Sequence, residues 1–167
     1  MPRPNIWNSK ALDYSSGLTY DDFLFDPKDA KIIRSKSPIN KGSEKGWSFK
    51  NLVTKDIGSD KIYLAQIYFD RGGGHNYHAH TCDEIVYLLQ GIAQFTYRSK
   101  GGKDIANELK PGDTAFCPAG TPHSLWNAGE GACAFLVIKS PPYFLEQIPL
   151  SKEVLGKKLF PRKLKPK

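Results

Sequence analysis

From Trp47 onward the chain runs in short apolar stretches with alternating polar positions, each closed by glycine, proline, asparagine or aspartate. A period of two over such lengths is that of a half-buried β-strand, not a helix. The runs predicted as strands are Trp47 to Val53, Lys61 to Asp70, Tyr77 to His80, Glu84 to Leu89, Ile92 to Arg98, Asp104 to Leu109, Asp113 to Cys117, His123 to Asn127, and Ala132 to Lys139. Short strands separated by turns suit an all-β barrel or sandwich. Tyr143 to Leu155 allows a helix, although Pro149 argues for a break within it. Residues 1–45 lack sustained periodicity but carry Trp7, Tyr14, Tyr20, Phe23 and Phe25, more aromatic surface than a disordered arm keeps. This arm is therefore expected to pack on the barrel or on a partner.

A chain of 167 residues most simply holds one domain with a sizeable core. With 15 glycines and 12 prolines punctuating the runs, the composition is that of a folded, turn-rich β domain. The expected organisation is an arm at 1–45, a barrel at 46–140, a C-terminal helical or extended segment at 141–156 and a basic tail at 157–167. The net charge of +7 is concentrated in that tail, at Lys157, Lys158, Arg162, Lys163, Lys165 and Lys167, and the remainder is close to neutral. A basic block with prolines reads first as a solvated tail, and it lacks the interleaved aromatics of a nucleic-acid platform, so no nucleic-acid partner is expected. No apolar stretch approaches the ~18–20 residues that span a bilayer, and MPRPNIWNSKALDYSSGL has no apolar signal core, which makes the cytoplasm the default expectation and a membrane partner unexpected. Cys82, Cys117 and Cys133 are odd in number and match no zinc-finger spacing, which argues against a disulfide framework.

The candidate chemistry is confined to two segments, Arg71 to Gly91 and Pro111 to Asn127. His78 and His80 are one residue apart, so on a strand both imidazoles leave the same face roughly 6.5–7 Å apart. Glu84 follows a polar turn at Thr81, Cys82 and Asp83, and its carboxylate can face that pair. His123 arrives from a distant stretch, after a turn dictated by Pro118, Gly120 and Pro122. Neutral imidazoles with one carboxylate suit one divalent transition-metal ion, Fe, Mn, Ni, Co, Cu or Zn, better than Ca or Mg. Such a set leaves coordination positions open and keeps a net positive charge, which favours an anionic or enolisable oxygen ligand.

These segments resemble the paired motifs of the cupin superfamily, GxxxxxHxHxxxExxxxxxG and GxxxxxPxGxxHxxxN. Gly72, His78, His80, Glu84 and Gly91 fit the first, and Gly112, Pro118, Gly120, His123 and Asn127 fit the second, with no defined position departing. HxH alone would be weak; the full set over two separated segments is specific. The resemblance implies a cupin-type (jelly-roll) antiparallel β-barrel with a metal inside, held by His78, His80, Glu84 and His123. It also implies a homodimer, since the N-terminal arms of such proteins often cross to a second subunit.

Parity from Glu84 points Val86 and Leu88 inward, and from His123 points Leu125 inward and Trp126 outward. On the next strand, either Phe95 and Tyr97 or Gln94, Thr96 and Arg98 face in. His75 is read first as a loop or surface residue, with a proton donor or spare ligand as alternatives. Cys82 is read as a packed hydrophobe rather than a ligand. The expected function is a mononuclear metal enzyme, dioxygenase-like, acting on a small oxygenated or anionic metabolite. The alternatives are a non-redox isomerase, lyase or decarboxylase of a sugar or keto acid, and a small-molecule-binding barrel without turnover. No linear motif marks catalytic residues beyond the ligand set.

Overall fold

The computed structural model describes residues 38–42 and 44–140, and these fold almost entirely as antiparallel β-structure. The strands are β1 (Asn40–Lys41), β2 (Trp47–Val53), β3 (Tyr63–Phe69), β4 (Gly74–His78), β5 (Asp83–Gln90), β6 (Ala93–Arg98), β7 (Asp104–Leu109), β8 (Thr114–Cys117), β9 (His123–Asn127) and β10 (Cys133–Ser140). Each predicted run is a strand, with ends displaced by a few residues where turn geometry takes over. β1 lies within the predicted arm, pairing Asn40 with Phe49, and is too short to leave a periodic trace in the sequence. A single 3-10 turn, Lys55–Ile57, links β2 to β3. Residues 1–37 and 43 of the arm, the expected C-terminal segment at 141–156 and the basic tail lie outside the described residues.

Two sheets form the barrel, in the orders β1-β2-β3-β10-β5-β8 and β4-β9-β6-β7. Strands from distant parts of the sequence thus become neighbours: β10 pairs with both β3 and β5, and β9 with both β4 and β6. The inward rows are apolar. Ala65, Ile67 and Phe69 of β3, Val86 and Leu88 of β5, and Phe135 and Val137 of β10 form one wall; Phe95 and Leu125 come from the other sheet. Phe69 and Phe135 meet edge to face, ring centroids 5.2 Å apart, a geometry that adds to area burial. Burial of each large side chain contributes roughly 1.5–3 kcal/mol.

The predicted parity holds on β5, where Glu84, Val86 and Leu88 are buried while Asp83, Tyr87 and Leu89 are exposed. On β6 the open choice is decided for Phe95 and Tyr97, which pack with the core; Phe95 lies opposite Leu125, and Tyr97 opposite His123. Arg98 instead turns to Asp104, with Nε and Nη2 donating at 2.8 and 3.1 Å.

The motif residues that carry no chemistry close the barrel. Asn127 is 2% exposed, and its Nδ2 donates to the carbonyls of Phe69, Asp70 and Gly131 while its Oδ1 accepts the Gly129 N–H. It ties the end of β9 to the end of β3 and shapes the turn into β10. Gly91 turns β5 into β6 with φ at 90°, and a Cβ there would sit 2.7 Å from the Ala132 carbonyl oxygen and from Cys133 Sγ, so only glycine fits. Among the described residues no helix is long and apolar enough to cross a membrane.

Candidate metal centre

At one level of the barrel, the cross-strand registers align a polar row on each sheet. On the larger sheet Tyr63, Lys139, Glu84 and Cys117 are neighbours across β3, β10, β5 and β8; on the smaller sheet His78, His123 and Tyr97 are neighbours across β4, β9 and β6. His80 lies just beyond β4, after Ala79, where its carbonyl accepts the Gly120 N–H at 2.8 Å and so links the two motif turns. The second of these turns needs Gly120, whose φ is 78°.

His78, His80 and His123 are all buried, and one ring nitrogen from each lies within 4.8 Å of the other two. Glu84, also buried, reaches two of them: Oε2 is 3.2 Å from His80 Nε2, and Oε1 is 3.3 Å from His123 Nε2. The four residues singled out in the sequence therefore converge. Cys82 does not join this group. It is 1% exposed, and burial raises its thiol pKa, as expected of a packed hydrophobe rather than a reactive thiolate.

Hydrogen bonds at Nδ1 orient two of the three imidazoles. His78 Nδ1 donates to the Asn76 carbonyl at 2.7 Å and His123 Nδ1 to the Thr121 carbonyl at 2.8 Å, with Cys117 Sγ 3.2 Å from the same nitrogen. A proton held on Nδ1 by a carbonyl directs Nε2 into the site, which is how ligating histidines are usually held. His123 Nε2 is buried and, although Glu84 is close, lacks an aligned hydrogen-bond partner. A buried nitrogen of that kind is costly unless something binds it. This orphaned atom, the oriented rings and the carboxylate fit a transition-metal ion.

Electrostatics favour the metal-binding form of His78, His80 and Glu84, while His123 has a proton to lose. Burial lowers the pKa of His78 well below its ordinary value and also lowers that of His80, so both rings are neutral near pH 7. Burial works to raise Glu84, but the Lys139 ammonium and the two imidazoles outweigh it and hold the carboxyl well below the usual range. For His123, burial acts downward, whereas Cys117 and Glu84 outweigh it and carry the pKa up to about 10 in the metal-free protein.

Two residues around the site differ from the sequence reading, Lys139 because it goes unnoticed there and His75 because it is placed first in a loop or on the surface. Lys139 is directly opposite Glu84 in register, its side chain is 11% exposed, and Nζ is 3.0 Å from Glu84 Oε2 and 2.9 Å from His80 Nε2. Parity from Phe135 and Val137 would have placed it inward, but a lysine ending a strand passes for a solvent residue. His75 is the other, and its expected loop or surface placement is incorrect. It lies on β4 with its ring sandwiched between Trp47 and His78, centroids 4.4 and 3.8 Å away, and its Nε2 is 3.6 Å from a Glu44 carboxylate oxygen. The strand starts at Gly74, three residues before the predicted Tyr77, and carries a register irregularity between His75 and His78.

A family model described as the cupin domain matches residues 66–139, which include all four candidate ligands and Lys139. Residues 66–139 thus form a cupin domain. Within this superfamily, the chain is similar to an acireductone dioxygenase of Danio rerio, 33% identical over 84 residues, covering 48% of this chain and 42% of that protein. It is also similar to an acireductone dioxygenase of Leishmania major, 26% identical over 166 residues, covering 92% of this chain and 46% of that protein. The chain thus spans under half the length of these curated relatives. Among solved structures, a single-residue tryptophan-to-phenylalanine variant of the oxalate decarboxylase of Bacillus subtilis superposes with a TM-score of 0.62 at 21% identity, covering 71% of this chain and 32% of that one. At that identity the likeness concerns the fold alone.

Proposed function

We propose that this cupin is a cytoplasmic, mononuclear metal-dependent enzyme of dioxygenase type, acting on a small oxygenated or anionic metabolite. The observation that carries the proposal is the convergence of three buried imidazoles, two of them oriented through Nδ1, with the Glu84 carboxylate beside His80 and His123. His78, His80, Glu84 and His123 would hold the ion. When bound, a divalent transition metal would supply Lewis acidity and, if redox-capable, one-electron chemistry with dioxygen. The chain's own part is to exclude water and set orientation. Val86, Leu88 and Phe95 belong to the buried apolar core next to the site, and such surroundings strengthen polar contacts made there.

The names of the two curated relatives favour the dioxygenase reading and put acireductone first on a substrate panel. Reconstitution with Fe(II), Mn(II), Ni(II), Co(II) or Cu(II) should give substrate-dependent oxygen uptake, whereas Zn(II) should give none. The second reading, a non-redox lyase or decarboxylase, draws on similarity to an oxalate decarboxylase of Bacillus subtilis, 26% identical over 95 residues. Anaerobic turnover with Zn(II) would establish it and overturn the first. Ligand binding without turnover by any metal form would identify a binding module.

A homodimer belongs to the same proposal. Phe116, 61% exposed, stands opposite Ile85 on the outer face of the larger sheet, beside Tyr87, and an exposed apolar patch of this kind favours self-association. Sedimentation velocity of the full chain tests it, with a monomer at micromolar concentration as the contrary result.

A further inference from the structure

Lys139 is unusual for a residue so near a metal site. Its charge is of the same sign as the expected ion, and its ammonium touches two of the ligand atoms the ion would use, His80 Nε2 and Glu84 Oε2. It cannot simply swing into solvent. β10 is a central strand, paired on both sides at this residue, with Tyr63 of β3 on one flank and Glu84 of β5 on the other. The backbone of Lys139 is thereby fixed at the level of the site, and its side chain is largely buried. An ion that takes the His80 lone pair displaces only one contact of the ammonium, which stays within reach of Glu84.

The charge balance follows. Neutral imidazoles contribute nothing, and Glu84 offsets one charge of a divalent ion; Lys139 restores that charge at a buried site next to the apolar core residues Val86, Leu88 and Phe95. Uncompensated charge is expensive in such surroundings, so the site gains most from a ligand bearing two negative groups close together. We infer that Lys139 is a specificity-determining residue that makes this site selective for small dianionic acids, one acidic group facing the metal position and the other accepting hydrogen bonds from Lys139 Nζ. This rests on the metal-centre reading above and extends it to a substrate class. A lysine ammonium suits the task because its three donors can serve Glu84 and a ligand oxygen together.

The test uses full-length protein loaded with Co(II), metal content determined for each variant, and calorimetric titration with malonate and with its monomethyl ester, which has the same skeleton and one charge fewer. In the wild-type protein malonate should bind at least tenfold more tightly than the ester, equivalent to about 1.4 kcal/mol. In Lys139→Met that preference should collapse through loss of malonate affinity, whereas Lys139→Arg should retain most of it. Equal binding of the two ligands by the wild-type protein, or an undiminished preference in metal-loaded Lys139→Met, would overturn the inference while leaving the metal centre intact. Wild-type protein that takes up no Co(II) would instead remove the metal-centre reading, and this inference with it. Even if Lys139→Met does not fold, equal binding of the two ligands by the wild-type protein still overturns the inference.

Discussion

The His75 ring lies on the His78 ring, centroids 3.8 Å apart and planes inclined by 28°, while Trp47 covers the other face of His75. A candidate ligand is thus held by its Asn76 carbonyl contact at one edge and by stacked rings on a face. Stacking fixes the tilt of the His78 plane without using its Nε2.

His75→Ala removes the middle ring of this stack and should weaken metal affinity by roughly 10–100-fold, the usual effect of losing a residue that orients a ligand. His75→Phe, which keeps a ring, should recover most of that affinity. Chelator competition measures both; equal losses in Ala and Phe would point to the Glu44 contact instead.

Replacing His78, His80 or His123 singly by Ala should abolish most of the bound metal, as read by elemental analysis of protein purified without chelator. Glu84→Gln retains a neutral oxygen of similar shape and should bind more weakly than wild type without losing the fold. Full stoichiometry in all three histidine variants would exclude the ligand assignment.

Metal uptake should depend on pH through His123. Its pKa is raised to about 10, so below that pH a proton competes with the ion; His78 and His80, with lowered pKa values, carry no such proton near neutrality. Affinity should therefore rise about tenfold per pH unit between 7 and 9, with about one proton released per ion. Calorimetry in buffers of different ionisation enthalpy counts that proton.

Stability of the metal-free protein should respond with the opposite group of histidines. His75, lowered to about 4 by burial, together with His78 and His80, binds fewer protons folded than unfolded below the ordinary value of 6.5. Unfolding free energy should therefore fall as pH drops from 6.5 towards 4. His123 is protonated in the folded state throughout that window; its own stabilisation is present below 6.5 and is lost as pH rises through about 10. Urea titrations at several pH values resolve the two limbs.

Asn127→Ala leaves buried carbonyls at the ends of β3 and the β10 turn without a donor, each worth about 1–3 kcal/mol. Urea unfolding should show a loss of several kcal/mol, while metal stoichiometry below the transition stays near wild type. A near-neutral substitution would mean that water replaces the amide.

The strands and the four candidate ligands could be read along the chain because both are local in sequence. Alternation reports which side of a strand is buried, and HxH, Glu84 and the turn before His123 announce themselves by spacing. The bounds of β2, β7 and β9 coincide with the runs read from the pattern, since each is bracketed by turn residues. Neither Lys139 nor His75 could be found in this way. Lys139 acquires its role only because β10 pairs with β5 in a register that sets it against Glu84, more than fifty residues earlier. His75 becomes a supporting ring only because the irregular β4 and the distant Trp47 enclose it. Residue types and periods determine which faces are apolar and which side chains can bind a metal. Strand pairing between remote segments decides which charges and rings surround them, because register is a property of two strands and is written in neither alone.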